Sequence, residues 1–106
     1  MSSAILEDLY KVIEARKGAS AESSYVASLY AKGTEKITEK ITEEAAEAIA
    51  EALKGDAPRL REESADLLFH LMVLWADQGI TPDEVLEVLQ GRMGISGHDE
   101  KASRDA

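Results

Sequence analysis

One segment of the chain is apolar on almost every side of the helix that it would form. The run SADLLFHLMVLWA, residues 64–76, has so few polar positions that such a helix must be buried over most of its surface. At about 100° per residue, the polar residues on and next to this run share one sector of about 60°. They are Glu63, Asp66, His70 and Asp77. The fold must therefore cover this helix and provide a partner for its carboxylates.

Composition favours helices throughout. The chain has 106 residues with one Phe, one Trp, three Tyr and only two prolines. Abundant Ala, Leu, Glu and Lys favour helix, and no segment has a convincing strand pattern. A chain of this length forms one domain with a single core. We predict an all-α fold of four to five helices.

Glycine, proline and capping residues divide the chain into helices. Gly55, Asp56 and Pro58 mark the turn between the two long helices, and Thr81 with Glu84 forms a predicted capping box. We predict helices at about 4–16, 24–32, 34–54, from Pro58 to about 78 and from 81 onward, with Thr34 as the N-cap of the third. The third helix carries an apolar stripe of Ile37, Ile41, Ala45, Ala48, Ile49, Ala52 and Leu53. A short turn at Gly55 makes the two long helices antiparallel neighbours in a bundle, which we expect dimerisation to complete. The domain spans 1–91, and 92–106 is a Gly-containing tail with basic and polar residues.

Charge and cysteine content exclude several classes of protein. The formal net charge of −9 argues against binding to nucleic acid or to anionic membranes. No cysteine is present, so the chain has neither disulfides nor thiolate metal sites. The longest apolar stretch, 67–76, is far shorter than the roughly 20 residues of a membrane span, and no signal-peptide pattern is present. We expect a cytoplasmic protein with no nucleic-acid or membrane partner.

Two pairs of acidic residues are candidates for a metal site. Glu44 and Glu47 lie three residues apart in one long helix, and Glu63 and Asp66 are spaced likewise in the next. This spacing puts each pair on one helix face, and Mg²⁺ prefers such oxygen ligands. A third pair at 84 and 87 is expected to be a solvated helix face. The alternative for all of them is a solvated or salt-bridged helix seam, which spacing alone does not exclude.

Histidines and lysines give weaker signals. We expect His70 to be a hydrogen-bonded histidine beside the core rather than a metal ligand. Lys32, Lys36 and Lys40 recur every four residues and are candidate phosphate contacts. Ion pairs within the helix, such as Lys36 with Glu39 or Lys40 with Glu44, are the alternative explanation.

Longer segments resemble a known family. KGTEKITEKITEEAAEAI, EESADLLFHLMVL and GRMGISGHDEKASR, together with SYVASLYAKGTEK, are similar to phosphoribosyl-ATP pyrophosphohydrolases. The resemblance covers 24–104, and the ending SGHDEKASR is its most family-specific part. This family belongs to the all-α nucleoside triphosphate pyrophosphatases, whose motif is E-E-x-x-E followed by E-x-x-D. In this sequence the motif falls on Glu43, Glu44, Glu47, Glu63 and Asp66.

The resemblance implies a reaction and a site. The reaction is Mg²⁺-dependent hydrolysis of phosphoribosyl-ATP to phosphoribosyl-AMP and pyrophosphate, the second step of histidine biosynthesis, by a homodimer. The five acids of the motif would be metal ligands, and Glu44, Glu47, Glu63 and Asp66 would also be catalytic. Candidate phosphate contacts in the tail are Arg92, Ser96, Lys101 and Arg104, because Arg and Lys provide charged donors and Ser-Gly turns expose backbone N–H groups.

The sequence departs from the family pattern at two positions. Thr42 stands where glycine is expected before the acidic pair, and Phe69 replaces the usual tyrosine. Two other functions remain open. One is a sanitising nucleoside triphosphate pyrophosphatase, which shares the metal site but not the SGHDEKASR tail. The other is a non-catalytic acidic helical dimer that binds a partner through its apolar faces and has no dependence on Mg²⁺.

Overall fold

The computed structural model describes residues 4–93, which fold into five α-helices. They are α1 (Ala4–Ala15), α2 (Tyr25–Lys32), α3 (Thr34–Lys54), α4 (Ala57–Asp77) and α5 (Pro82–Gly91). No strand occurs in this part of the chain. The predicted all-α class and the helix count are therefore confirmed.

The two long helices form an antiparallel hairpin. Gly55 ends α3 in the left-handed conformation, with φ of 76°, which glycine adopts without steric cost. Asp56 then caps α4 by accepting a hydrogen bond from the backbone N–H of Arg59, and Pro58 follows in the first turn. At the far end, the Thr34 hydroxyl donates to the Asp77 carboxylate at 2.6 Å. The start of α3 thus lies beside the end of α4.

The N-cap of α3 differs from the prediction. Gly33, with φ of 93°, occupies the cap position and makes no side-chain hydrogen bond there. Thr34 is instead the first residue of the helix, and its hydroxyl is used by Asp77. The prediction of Thr34 as N-cap was wrong because a tertiary contact with α4 competes with the local cap.

The core lies where the first four helices meet. Five large side chains are fully buried: Ile13, Leu29, Ile37, Met72 and Val73. Burial of each such side chain contributes about 1.5–3 kcal/mol. The apolar stripe of α3 is covered only along its first part, since Ile37 and Ala48 are buried whereas Ile49 is 61% and Leu53 is 85% exposed.

The short helices are fixed by caps and by polar contacts. The hydroxyl of Ser24 accepts from the N–H of Ala27 at the start of α2, and the predicted capping box of α5 is present between Thr81 and Glu84. The Lys17 ammonium donates to the carbonyl of Ala76, which ties the segment after α1 to α4. No helix within residues 4–93 is long and apolar enough to cross a membrane.

Candidate metal and active site

The α3–α4 hairpin brings three carboxylates together. One oxygen each from Glu44, Glu63 and Asp66 lies within 4.8 Å of the others. Glu44 belongs to α3, whereas Glu63 and Asp66 are three residues apart on α4 and share a face. Glu44 and Glu63 are buried and Asp66 is exposed. The cluster is therefore open to solvent on the side of Asp66.

The two remaining predicted acids differ in position. Glu47 lies within interaction distance of Glu63, and its carboxyl group is the main cause of the raised pKa of Glu63. Glu43 accepts a hydrogen bond from the Lys40 ammonium at 3.1 Å, and its side chain is 54% exposed. The structure thus groups Glu44, Glu47, Glu63 and Asp66, and it leaves Glu43 paired with Lys40 beside that group.

Glu63 has the most perturbed acidity in the cluster. Hydrogen bonding with the Glu47 carboxyl group, then burial, then the charges of Glu47 and Glu44 raise its pKa from the ordinary value of 4.5 to about 7. Its Oε2 atom is buried and has no hydrogen-bond donor among the described residues. A proton on Glu63 would let its carboxyl group donate a hydrogen bond to the Glu47 carboxylate. The cluster therefore takes up a positive charge, either a proton or a cation, more readily than an isolated carboxylate.

These ligands fit a hard divalent cation. Mg²⁺ binds carboxylate oxygens at about 2.0–2.1 Å, so neighbouring ligands lie about 3 Å apart and opposite ligands about 4.2 Å apart. The three oxygens lie within 4.8 Å of one another, so their side chains would draw closer together to share one ion. The buried Oε2 of Glu63 without a donor is the kind of acceptor that a bound cation satisfies. The acids of the hairpin thus have the donor chemistry that Mg²⁺ prefers, and they lie close enough together to reach one ion.

The three predicted lysine contacts, one at the end of α2 and two on α3, have different surroundings. Lys36 pairs with Glu39 at 3.4 Å, and Lys40 pairs with Glu43 at 3.1 Å and approaches Glu44 at 4.0 Å. The hydrogen bond that Lys40 donates to Glu43 is the main cause of its raised pKa, followed by the electrostatic effect of Tyr25. Lys32 lies exposed at the end of α2. Of the three lysines, Lys40 lies next to the acid cluster.

The predicted contacts of the C-terminal segment are mostly beyond the described residues. Arg92 is the C-cap of α5 and lines a cavity of about 450 Å³. The other residues lining that cavity all come from 80–89 and include none of the clustered acids. Ser96, Lys101 and Arg104 lie outside the described residues, and so does His98.

His70 has the role that we predicted, and its partner was not foreseen. It is 5% exposed, and its Nε2 lies 2.8 Å from the Tyr25 hydroxyl. Its Nδ1 lies 2.7 Å from the carbonyl of Asp66, so a proton on Nδ1 leaves Nε2 free to accept from Tyr25. Spacing could not reveal Tyr25, because it lies 45 residues away in α2.

Sequence reasoning also missed Arg59 and Glu51. Arg59 Nε lies 3.2 Å from the buried Glu51 carboxylate, and its Nη2 lies 3.9 Å from Glu63. Lys54 also pairs with Glu51, at 3.2 Å. A signal for Arg59 was present in the spacing, since it precedes Glu63 by four residues on the same helix face. Glu51 likewise follows Glu47 by four.

Comparisons with known proteins assign the chain to a family. The family profile described as phosphoribosyl-ATP pyrophosphohydrolase matches residues 6–93. A protein of Azospirillum brasilense named phosphoribosyl-ATP pyrophosphatase is 52% identical over 104 residues, which cover 98% of this chain and 94% of that protein. A protein of the same name from Paramagnetospirillum magneticum is 51% identical over 102 residues, 96% of this chain and 94% of its own length. Another from Rhodospirillum rubrum is 49% identical over 100 residues, 94% of this chain and 86% of its own length. Because the profile spans almost all of the helical domain and the relatives align over nearly their whole length, this chain belongs to the phosphoribosyl-ATP pyrophosphohydrolase family.

Proposed function

We propose that this protein hydrolyses phosphoribosyl-ATP to phosphoribosyl-AMP and pyrophosphate, the second step of histidine biosynthesis, with Mg²⁺ as cofactor. Family membership supports the reaction and the substrate, since the aligned relatives are named phosphoribosyl-ATP pyrophosphatase. The observation that carries the cofactor is the cluster of Glu44, Glu63 and Asp66, which includes a buried oxygen without a donor.

In the reaction, water is added across the bond between the α- and β-phosphates. The water oxygen forms a bond to the α-phosphorus, the anhydride bond breaks, and pyrophosphate leaves with the electron pair. Bound Mg²⁺ would neutralise phosphate charge and stabilise the leaving pyrophosphate. The acids that would hold it are Glu44, Glu63 and Asp66, with Glu47 beside them, and Glu43 remains a predicted ligand.

The carboxylates also control protons at the site. Glu63 shares its environment with Glu47 and Glu44, so a proton on any one of them lowers the repulsion in the group. The open side at Asp66 gives the substrate and water access. With Mg²⁺ bound to Glu44, Glu63 and Asp66, a carboxylate that the ion leaves free, such as Glu47, would take the proton that the attacking water loses.

Cations next to the cluster would bind the substrate phosphates. Lys40 lies 4.0 Å from Glu44 and is held by Glu43, so its ammonium is beside the metal site. Further contacts with the substrate phosphates stay predictions: Lys32, Lys36 and Arg92, and in the tail Ser96, Lys101 and Arg104. The tail residues are included among the proposed contacts because SGHDEKASR is the most family-specific part of the resemblance.

We further propose that the protein acts as a cytoplasmic homodimer. Apolar side chains on α1, α3 and α4 remain uncovered in a single chain: Ile5 (55% exposed), Ile49 (61%), Leu53 (85%) and Leu68 (40%). An apolar cavity of about 240 Å³ between α1 and α4 includes Ile5, Leu68 and Phe69 in its lining. Exposed apolar surface of this kind on a small helical domain supports docking of a second copy.

The proposed reaction is tested by incubating the protein with phosphoribosyl-ATP and Mg²⁺ and measuring pyrophosphate. We expect release that EDTA abolishes, and little release from dUTP or dCTP. Release from the deoxynucleotides alone would assign the protein to nucleotide sanitation instead. No release from any nucleotide would favour a non-catalytic helical dimer.

A further inference from the structure

The polar stripe of α4 extends beyond the acid cluster at both ends. Arg59 lies four residues before Glu63, and His70 lies four residues after Asp66, so all four residues share one helix face. At 1.5 Å per residue, the stripe is about 16 Å long from Arg59 to His70. Its two ends have different chemistry, and the metal site lies between them.

The His70 end carries an aromatic ring held in a fixed position. The Tyr25 hydroxyl is hydrogen-bonded to the buried His70 at 2.8 Å, and the two rings meet edge to face with centroids 5.7 Å apart. Tyr25 is nevertheless 50% exposed. An exposed ring that is already held in place loses little conformational freedom on binding, and a purine base stacks well on such a surface.

The Arg59 end carries a guanidinium group held toward the cluster. Buried Glu51 fixes its Nε at 3.2 Å, and Nη2 reaches within 3.9 Å of Glu63. The Arg59 side chain is 60% exposed, so its remaining N–H donors are accessible from solvent. Guanidinium binds phosphate oxygens through paired N–H donors.

We propose that the nucleotide lies along this stripe with its adenine base against Tyr25 and its departing pyrophosphate beside Arg59. This orientation rests on the proposed function, because it assumes a nucleotide substrate cleaved at the acid cluster. Lys40 fits the same arrangement, since its ammonium lies 4.0 Å from Glu44 of the acid cluster. Tyr25 and Arg59 would then recognise opposite ends of the substrate.

The test separates the two ends with two probes, AMP and inorganic pyrophosphate. Binding of each to the full chain with Mg²⁺ is measured by calorimetry. Tyr25→Leu should weaken AMP binding about tenfold or more and leave pyrophosphate binding within about twofold. Arg59→Gln should do the reverse. Tyr25→Phe, which keeps the ring, should lose only about two- to threefold in AMP affinity.

Arg61→Gln is the matched control for Arg59, because it removes the same charge from an exposed position of the same helix. Residues two apart on a helix do not share a face, so both probes should bind this variant as they bind the wild type. Loss of pyrophosphate binding in both arginine variants would show that net charge alone causes the weaker binding, and it would overturn the assignment of Arg59.

Other outcomes also decide the orientation. Unchanged AMP binding in Tyr25→Leu, or an exchange of the two effects, would overturn it. Contact between adenine and Tyr25 can be measured in the wild type by nuclear Overhauser effects between the base protons and the ring, so the result does not depend on how a variant folds. Absence of these effects with bound AMP would also overturn the proposal. Failure of phosphoribosyl-ATP hydrolysis by the wild type would instead contradict the proposed function.

Discussion

Glu44 of α3 and Glu63 of α4 are both buried, and their carboxylates belong to one cluster whose ligand oxygens lie within 4.8 Å of one another. Hydrogen bonding with Glu47 and burial raise the pKa of Glu63 to about 7, and the repelling charges of Glu47 and Glu44 add to the shift. The hairpin tolerates this repulsion because Arg59 and Lys40 lie at its sides and the apolar core holds the helices together.

Neutralising Glu63 should separate stability from activity. Glu63→Gln removes a repelling charge, so the metal-free protein should melt at a higher temperature than the wild type. The same change removes a proposed metal ligand, and pyrophosphate release should fall by about 100-fold or more. Calorimetry and a pyrophosphate assay measure the two effects. Glu62→Gln, at the exposed neighbouring position, is the control and should alter neither by much.

The stability of the metal-free protein should depend on pH through Glu63. Its pKa is about 7 in the folded protein and close to the ordinary 4.5 when unfolded. Between these values the folded state binds more protons, so stability falls as pH rises from about 4.5 to about 7. Melting curves in EDTA at several pH values, for the wild type and for Glu63→Gln, isolate this contribution. An identical pH dependence in both proteins would show that Glu63 is not its source.

Magnesium should stabilise the wild type more strongly at pH 8 than at pH 6. The ion competes with the proton for the same carboxylates, and a ligand that binds only the folded state raises the melting temperature. Glu44→Gln and Asp66→Asn should abolish most of the rise. Glu43→Gln should retain more of it, because Glu43 is paired with Lys40 at 3.1 Å. If Glu43→Gln lost as much of the rise in melting temperature, Glu43 would contribute to Mg²⁺ binding as strongly as Glu44 and Asp66.

The proposed dimer should depend on the uncovered apolar side chains. Leu68 is 40% exposed and lines the cavity between α1 and α4. The substitution Leu68→Glu would therefore place a charge in the proposed interface. We expect the wild type to have twice the mass of one chain in light scattering, and this variant to shift toward the single-chain mass. Thr38→Glu adds the same charge at an exposed polar position and should remain dimeric. A wild type with the mass of one chain would contradict the proposal directly.

Local sequence signals were sufficient for the helices. Glycine at position 55, Asp56 and Pro58 predicted the turn of the hairpin, and Thr81 with Glu84 predicted the start of α5. These signals act within one or two turns, where backbone conformation and capping determine the outcome. The N-cap at Thr34 was predicted wrongly because its hydroxyl is bound by Asp77, 43 residues away.

The short turn between the two long helices predicted that they are antiparallel neighbours whose acid pairs can face one another, and the resemblance to a family gave those acids a reaction. The sequence by itself therefore determined the all-α class, the hairpin and the candidate ligands. Only the tertiary structure decided that Glu44 joins Glu63 and Asp66 whereas Glu43 pairs with Lys40, and that Tyr25 and Arg59 lie at the two ends of the site. The physical reason is that helical periodicity fixes the direction of a side chain around its own axis, whereas packing between helices fixes which side chains are within bonding distance.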